Sequence, residues 1–101
     1  MVYDVQLSDG AEKSLAKMDH FHAIIIISWI EKNLKGCENP RSRGTPLVGD
    51  KKGYWRYRVG EYRIIADIQD SIVLIEIIRI GHRREAYDSS ENGRKPTFRK
   101  K

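Results

Sequence analysis

The chain has 101 residues, 19 Lys and Arg against 14 Asp and Glu, three His, one Cys and 40% hydrophobic residues. That length closes one small core, and a single cysteine excludes both a disulfide scaffold and a thiolate zinc site, which fits a reducing compartment. The longest apolar run, Ala23–Ile27, is too short to span a bilayer, the N-terminus has no basic segment leading into an apolar one, and the net charge of +5 points to an anionic partner, nucleic acid first.

A cytoplasmic chain without membrane contact is therefore expected. Val2–Leu7 alternates, with Tyr3, Val5 and Leu7 on one side, and predicts a strand. Ser8 is placed to cap a helix through about Met18, with Asp9 and Glu12 in the first turn, where the macrodipole favours carboxylates. Ala11, Leu15 and Met18 form its apolar stripe. Asp19 opens a second helix that ends at Gly36. Four consecutive isoleucines, Ile24 to Ile27, also suit a buried strand. The flanks favour helix: Phe21, Ile24, Ile27, Ile30 or Glu31, and Leu34 keep helical spacing, and Lys32 and Lys35 lie in the last turn.

Residues 36–53 (GCENPRSRGTPLVGDKKG) predict a long surface connection. Three strands follow. Tyr54–Val59 and Tyr62–Ile68 flank Gly60-Glu61, a two-residue hairpin loop with Gly first. Asp70-Ser71 turns the chain into Ile72–Ile80, the most apolar strand and the one expected at the centre. The expected fold is α+β, in the order β-α-α-β-β-β. It is an antiparallel-rich sheet with a helical hairpin on one face and the other face open. The domain spans residues 1–87, and residues 88–101 form a basic, flexible tail.

A two-residue loop fixes the strand register. Val59 then faces Tyr62, Arg58 faces Arg63, Tyr57 faces Ile64 and Arg56 faces Ile65. Trp55, Tyr57, Val59, Ile64 and Ala66 fall on the core face, and Arg56, Arg58 and Arg63 on the open one. Arginines directly opposite one another cost some tenths of a kcal/mol to about 1 kcal/mol without a counter-charge. Glu76 is expected beside Ile65, away from Arg58 and Arg63. The plain reading is a solvated face with its repulsion screened by salt. The sharper one is a phosphate cradle, because guanidinium binds phosphate bidentately and stays charged. Continued alternation brings His82, Arg83 and Tyr87 to the same arginines. Such a cluster suits metal-free phosphodiester chemistry, with charge stabilised by Arg, a proton moved by a titratable group and a base stacked on an aromatic ring.

Two segments carry a family resemblance: Trp55-Arg56-Tyr57-Arg58-Val59-Gly60-Glu61-Tyr62-Arg63-Ile64-Ile65 and Ile80-Gly81-His82-Arg83-Arg84-Glu85-Ala86-Tyr87. Over roughly residues 2–87 the chain resembles the RelE/ParE superfamily of type II toxin–antitoxin toxins. The resemblance implies a RelE-like microbial ribonuclease-type fold and a toxin held inactive by a cognate antitoxin. The pair would bind operator DNA through the antitoxin. RelE-like members enter the ribosomal A site and cut mRNA by attack of a ribose 2′-OH on the adjacent phosphate, which inhibits translation. ParE-like members instead poison DNA gyrase and cut no RNA. Both activities are open to this chain, and the ribonuclease is the first expectation.

The resemblance implies Arg56, Arg58, Arg63, Arg83 and Tyr87 as the catalytic set, and chemistry adds His82. Arg63 and Arg83 would stabilise the pentavalent phosphorane, with Arg83 near the leaving 5′-oxygen. Tyr87 would stack on a nucleotide, and Arg56 and Arg58 would hold backbone phosphates or the attacking oxygen. This chain has arginine where RelE-like toxins commonly carry lysine. Arginine, with a pKa above about 12, is a poor proton acceptor. His82, the one imidazole near these arginines, is accordingly expected as general base or acid, against the plain alternative of an imidazole hydrogen-bonded at a strand end. No cofactor and no metal are expected; His20 and His22, at i and i+2, do not share a helical face.

Lesser features are Cys37, an ordinary loop thiol, and Glu12 and Glu31, helix-surface charges. Glu85 is an outside candidate for a base, and Trp29 is partly exposed beside the apolar stripe. Residues 54–87 carry six Lys and Arg against five Asp and Glu, and residues 88–101 carry five against two. Three of the net five positive charges therefore belong to the tail. The sorting of arginines to one surface, more than net charge, points to phosphate.

Overall fold

Strand β1 (Asp4–Leu7) leads into helix α1 (Asp9–Lys17) and helix α2 (His20–Asn33). After a 3-10 turn at Pro40–Ser42 come β2 (Thr45–Pro46), β3 (Tyr54–Val59), β4 (Tyr62–Gln69), a second 3-10 turn at Asp70–Ile72, and β5 (Leu74–His82). The computed structural model describes residues 2–47 and 53–82. The sheet order is β1-β5-β4-β3-β2, with β1 parallel to β5 and the other pairs antiparallel. This is the expected α+β arrangement with one added edge strand. β5 is flanked on both sides, while β4 takes the middle position.

Local chemistry explains the elements. The Ser8 hydroxyl accepts from the Ala11 N–H at 3.1 Å and caps α1. Asp19 does the same for α2 through the Phe21 N–H. Gly36, at φ +79°, supplies the left-handed residue beyond α2. Gly60, at φ +58°, opens the β3–β4 hairpin, as a type II′ turn requires of its first position.

The core holds Ala11, Ile26, Ile30, Leu34, Tyr57, Val59, Ile64, Ala66, Ile75, Ile77 and Ile80. Tyr57 is fully enclosed, its hydroxyl donating to the Pro40 carbonyl at 2.6 Å, and burial pushes its phenol well above the usual range. Helix α2 is rotated from expectation. Ala23, Ile26, Ile30 and Leu34 face the sheet, whereas Phe21 is 66% exposed, Ile24 48% and Ile27 39%. The helix is apolar nearly all round, so two stripes satisfy the same spacing. Small Ala23 takes the inner one, while Trp29 is half-buried against Tyr57, ring centroids 5.7 Å apart.

The connection after α2 is pinned to the body. Arg41 forms a two-pronged pair with Asp70 (3.1 and 3.0 Å), and the Tyr3 hydroxyl donates to the same carboxylate at 2.6 Å. These partners, Arg41 foremost, hold the Asp70 carboxyl below the usual carboxylate range. Trp55 Nε1 donates to the Arg43 carbonyl, and Thr45 pairs with Arg56. The part of the expected loop described here thus contributes a sheet edge. Gly44 (φ +78°) makes this possible: a Cβ there would collide with the Arg56 carbonyl oxygen. The third expected strand starts at Leu74 instead of Ile72, because Asp70–Ile72 closes a 3-10 turn and Val73 takes a left-handed conformation (φ 53°, ψ 50°).

Candidate active site

The hairpin register is the expected one: Val59 faces Tyr62, Arg58 faces Arg63, Tyr57 faces Ile64 and Arg56 faces Ile65. Tyr57, Val59, Ile64 and Ala66 are buried under the helices and Trp55 is half-buried. Arg56, Arg58 and Arg63 consequently share the face opposite the helices, open among the described residues, since directly opposed residues lie on one side of a sheet. The Arg56 guanidinium donates to Thr45 Oγ1 at 3.1 Å, which anchors it toward the β2 edge.

A β-bulge decides what joins them. Ala66 pairs with Ile77, but Ile65 pairs with Arg79, so Ile78 is an extra residue on β5. Its cause is visible from α1. The Ser8 N–H donates to the Ile77 carbonyl at 2.9 Å, and the Ser8 hydroxyl donates to the Ile78 carbonyl at 2.7 Å. A Cβ on Gly10 would come within 3.3 Å of that same oxygen. The helix start is thus built against the bulge.

From the bulge onward every β5 side chain changes face. Arg79 and Gly81 come to the open side, beside Ile65 and Arg63, while Ile80 and His82 turn to the helices. The expected position of His82 among the arginines is therefore corrected. Its ring packs edge-on against Tyr62 at 5.4 Å, and the Tyr62 hydroxyl hydrogen-bonds His22 Nδ1 at 3.1 Å. The two histidines and the phenol line the end of the helical layer, beside a cavity of about 300 Å³ bordered by Ser14, Lys17 and Met18. Arg83 and Tyr87, like the tail after them, lie outside the described residues.

The longer turn, not the bulge, moves Glu76: with Asp70–Val73 between the strands, Gln69 pairs with Leu74. Glu76 then faces Asp67, one row further from the arginines than the position beside Ile65. Gln69 Nε2 donates to Asp67 (3.1 Å) and Glu76 (3.2 Å), gathering the acidic groups at one end. The open face is therefore ordered in rows across the sheet: Arg58–Arg63–Gly81, then Arg56–Ile65–Arg79, then Tyr54–Asp67–Glu76. Arg79 was absent from the sequence-derived set. A signal was available: strict alternation from Ile75 and Ile77 drives Arg79 into the core, and only an extra residue avoids it.

Among the described residues no group of three or more His, Cys, Asp and Glu could hold a metal, and no helix is long and apolar enough to cross a membrane. Cys37 is half-buried, which pushes its thiol up.

Residues 5–87 match the family described as the ParE toxin of the type II toxin–antitoxin system, parDE. The chain is 29% identical over 85 residues to Toxin RelE of Mycobacterium tuberculosis, covering 84% of this chain and 86% of that protein. In structure it is similar to a chain of the toxin–antitoxin complex RelBE2 from M. tuberculosis, at TM-score 0.75 and 27% identity, covering 82% of this chain and 94% of that one. It shares its fold with a free mutant of E. coli toxin RelE (TM-score 0.68, 20% identity, 90% and 94% covered). The chain belongs to the ParE toxin family and is a toxin of the RelE/ParE superfamily of type II toxin–antitoxin systems.

Proposed function

We propose that the toxin acts as an endoribonuclease on ribosome-bound mRNA, cutting in the A site, and is neutralised by a RelB-type antitoxin in a complex that binds operator DNA through the antitoxin. The observation that carries this reading is the gathering of Arg56, Arg58, Arg63 and Arg79 on the open sheet face, with the acidic groups held one row away. In the proposed reaction the ribose 2′-oxygen bonds to phosphorus and the P–O5′ bond breaks, leaving a 2′,3′-cyclic phosphate and a 5′-hydroxyl. Arg58 and Arg63 face each other across β3 and β4, where they can share the charge that builds on the phosphorane oxygens. Arg83 would serve the leaving oxygen and Tyr87 a base.

His82 lies beside Tyr62 on the helix side. The 2′-proton is accordingly assigned to water, and water returns a proton to the leaving 5′-oxygen, with arginine charge lowering the barrier. The antitoxin assignment rests on the similarity to the M. tuberculosis toxin solved in a complex.

A primer-extension map after induction tests the reading. Cuts within translated codons are expected, and intact mRNA overturns it. The family's description as ParE favours one second reading, a gyrase poison; it predicts induction of the SOS response with stalled gyrase–DNA complexes and uncut mRNA.

A further inference from the structure

We propose that Arg79, together with Arg56 and Ile65, forms a second nucleotide subsite beside the Arg58–Arg63 pair, with Arg79 binding an RNA backbone phosphate. The reading rests on the proposed RNA substrate and adds a residue that the family resemblance did not supply. Three strands carry the subsite in register: Arg56 on β3, Ile65 on β4 and Arg79 on β5 lie in one row. Neighbouring strands are about 4.8 Å apart, so the two guanidinium stems stand about 10 Å from each other across Ile65.

Ile65 is partly buried and offers an apolar floor between two cations, Arg56 partly buried and Arg79 exposed. A nucleotide unit has the matching form: an apolar base or sugar face between two charged phosphates. The rows on either side give the subsite its direction. On one side stand Arg58 and Arg63; on the other, Asp67 and Glu76 repel phosphate and are tied together by Gln69. A bound strand is thereby confined to two rows and runs across the sheet strands, not along them. The bulge at Ile78, held by Ser8, is what delivers Arg79 to this face.

Salt dependence of RNA binding tests the subsite apart from catalysis. The probe is a short, fully 2′-O-methylated single-stranded RNA, which cannot be cut, titrated with the full-length toxin. Each phosphate contact on a single strand adds about 0.7 to the slope of log affinity against log salt. Arg79→Gln is expected to lower the slope by about 0.7, so that the affinity lost between about 50 and 200 mM salt shrinks by about 2.6-fold. Arg79→Lys is expected to keep the wild-type slope, and thermal melting checks that both variants fold. An unchanged slope in a folded Arg79→Gln protein, or no salt-dependent binding by the wild type, overturns the subsite. The ribonuclease reading fails separately, if the wild-type toxin leaves mRNA on programmed ribosomes intact while the slope still falls in Arg79→Gln.

Discussion

Ser8 does two jobs with one hydroxyl. It accepts from the Ala11 N–H to cap α1, and it donates to the Ile78 carbonyl that the bulge frees from the β4 ladder. Ser8→Ala removes both bonds and is expected to cost about 1–2 kcal/mol, measured by urea unfolding. Asp70 is the second residue with several partners, joining Tyr3 at the start of the sheet to Arg41 in the pinned connection. Its folded carboxyl lies below the ordinary carboxylate range. The stabilisation is therefore fully present above the unfolded pKa, about 3.9, and is lost as pH falls through the folded value. The urea midpoint of Asp70→Asn is expected to lie below wild type at neutral pH and to converge with it in acid. A gap that persists in strong acid contradicts this role for the charge.

At the scale of elements, much was legible. The Gly60-Glu61 loop fixed the β3–β4 register, and with it the face of Arg56, Arg58 and Arg63. Caps at Ser8 and Asp19 placed both helix starts. What escaped depended on contacts distant in sequence. The bulge exists because α1 presents Ser8 and a side-chain-free Gly10 to β5, about seventy residues away. One extra residue there exchanged His82 for Arg79 on the open face. The phase of α2 escaped for a different reason: four isoleucines leave the apolar stripe undetermined until Tyr57 and the sheet select the side carrying Ala23 and Ile26. β2 is two residues long and rests on Gly44, a signal of backbone closeness that the surrounding Pro, Ser and Gly masked.

At the scale of the whole molecule, the described residues form a sheet with two unlike faces. One is covered by the helical hairpin and ends in the His22–Tyr62–His82 cluster; the other carries the arginines in two rows with an acidic boundary. The account places phosphate chemistry wholly on the second face. Single-turnover cleavage of mRNA on programmed ribosomes tests that division most directly, with Arg63→Ala and His82→Ala compared against wild type. Arg63→Ala is expected to slow cleavage by about 10²–10³-fold, as loss of one charge-stabilising donor does. His82→Ala is expected to stay near the wild-type rate, with an unchanged pH profile. The reverse result, a crippled His82→Ala toxin beside an active Arg63→Ala one, would contradict the account.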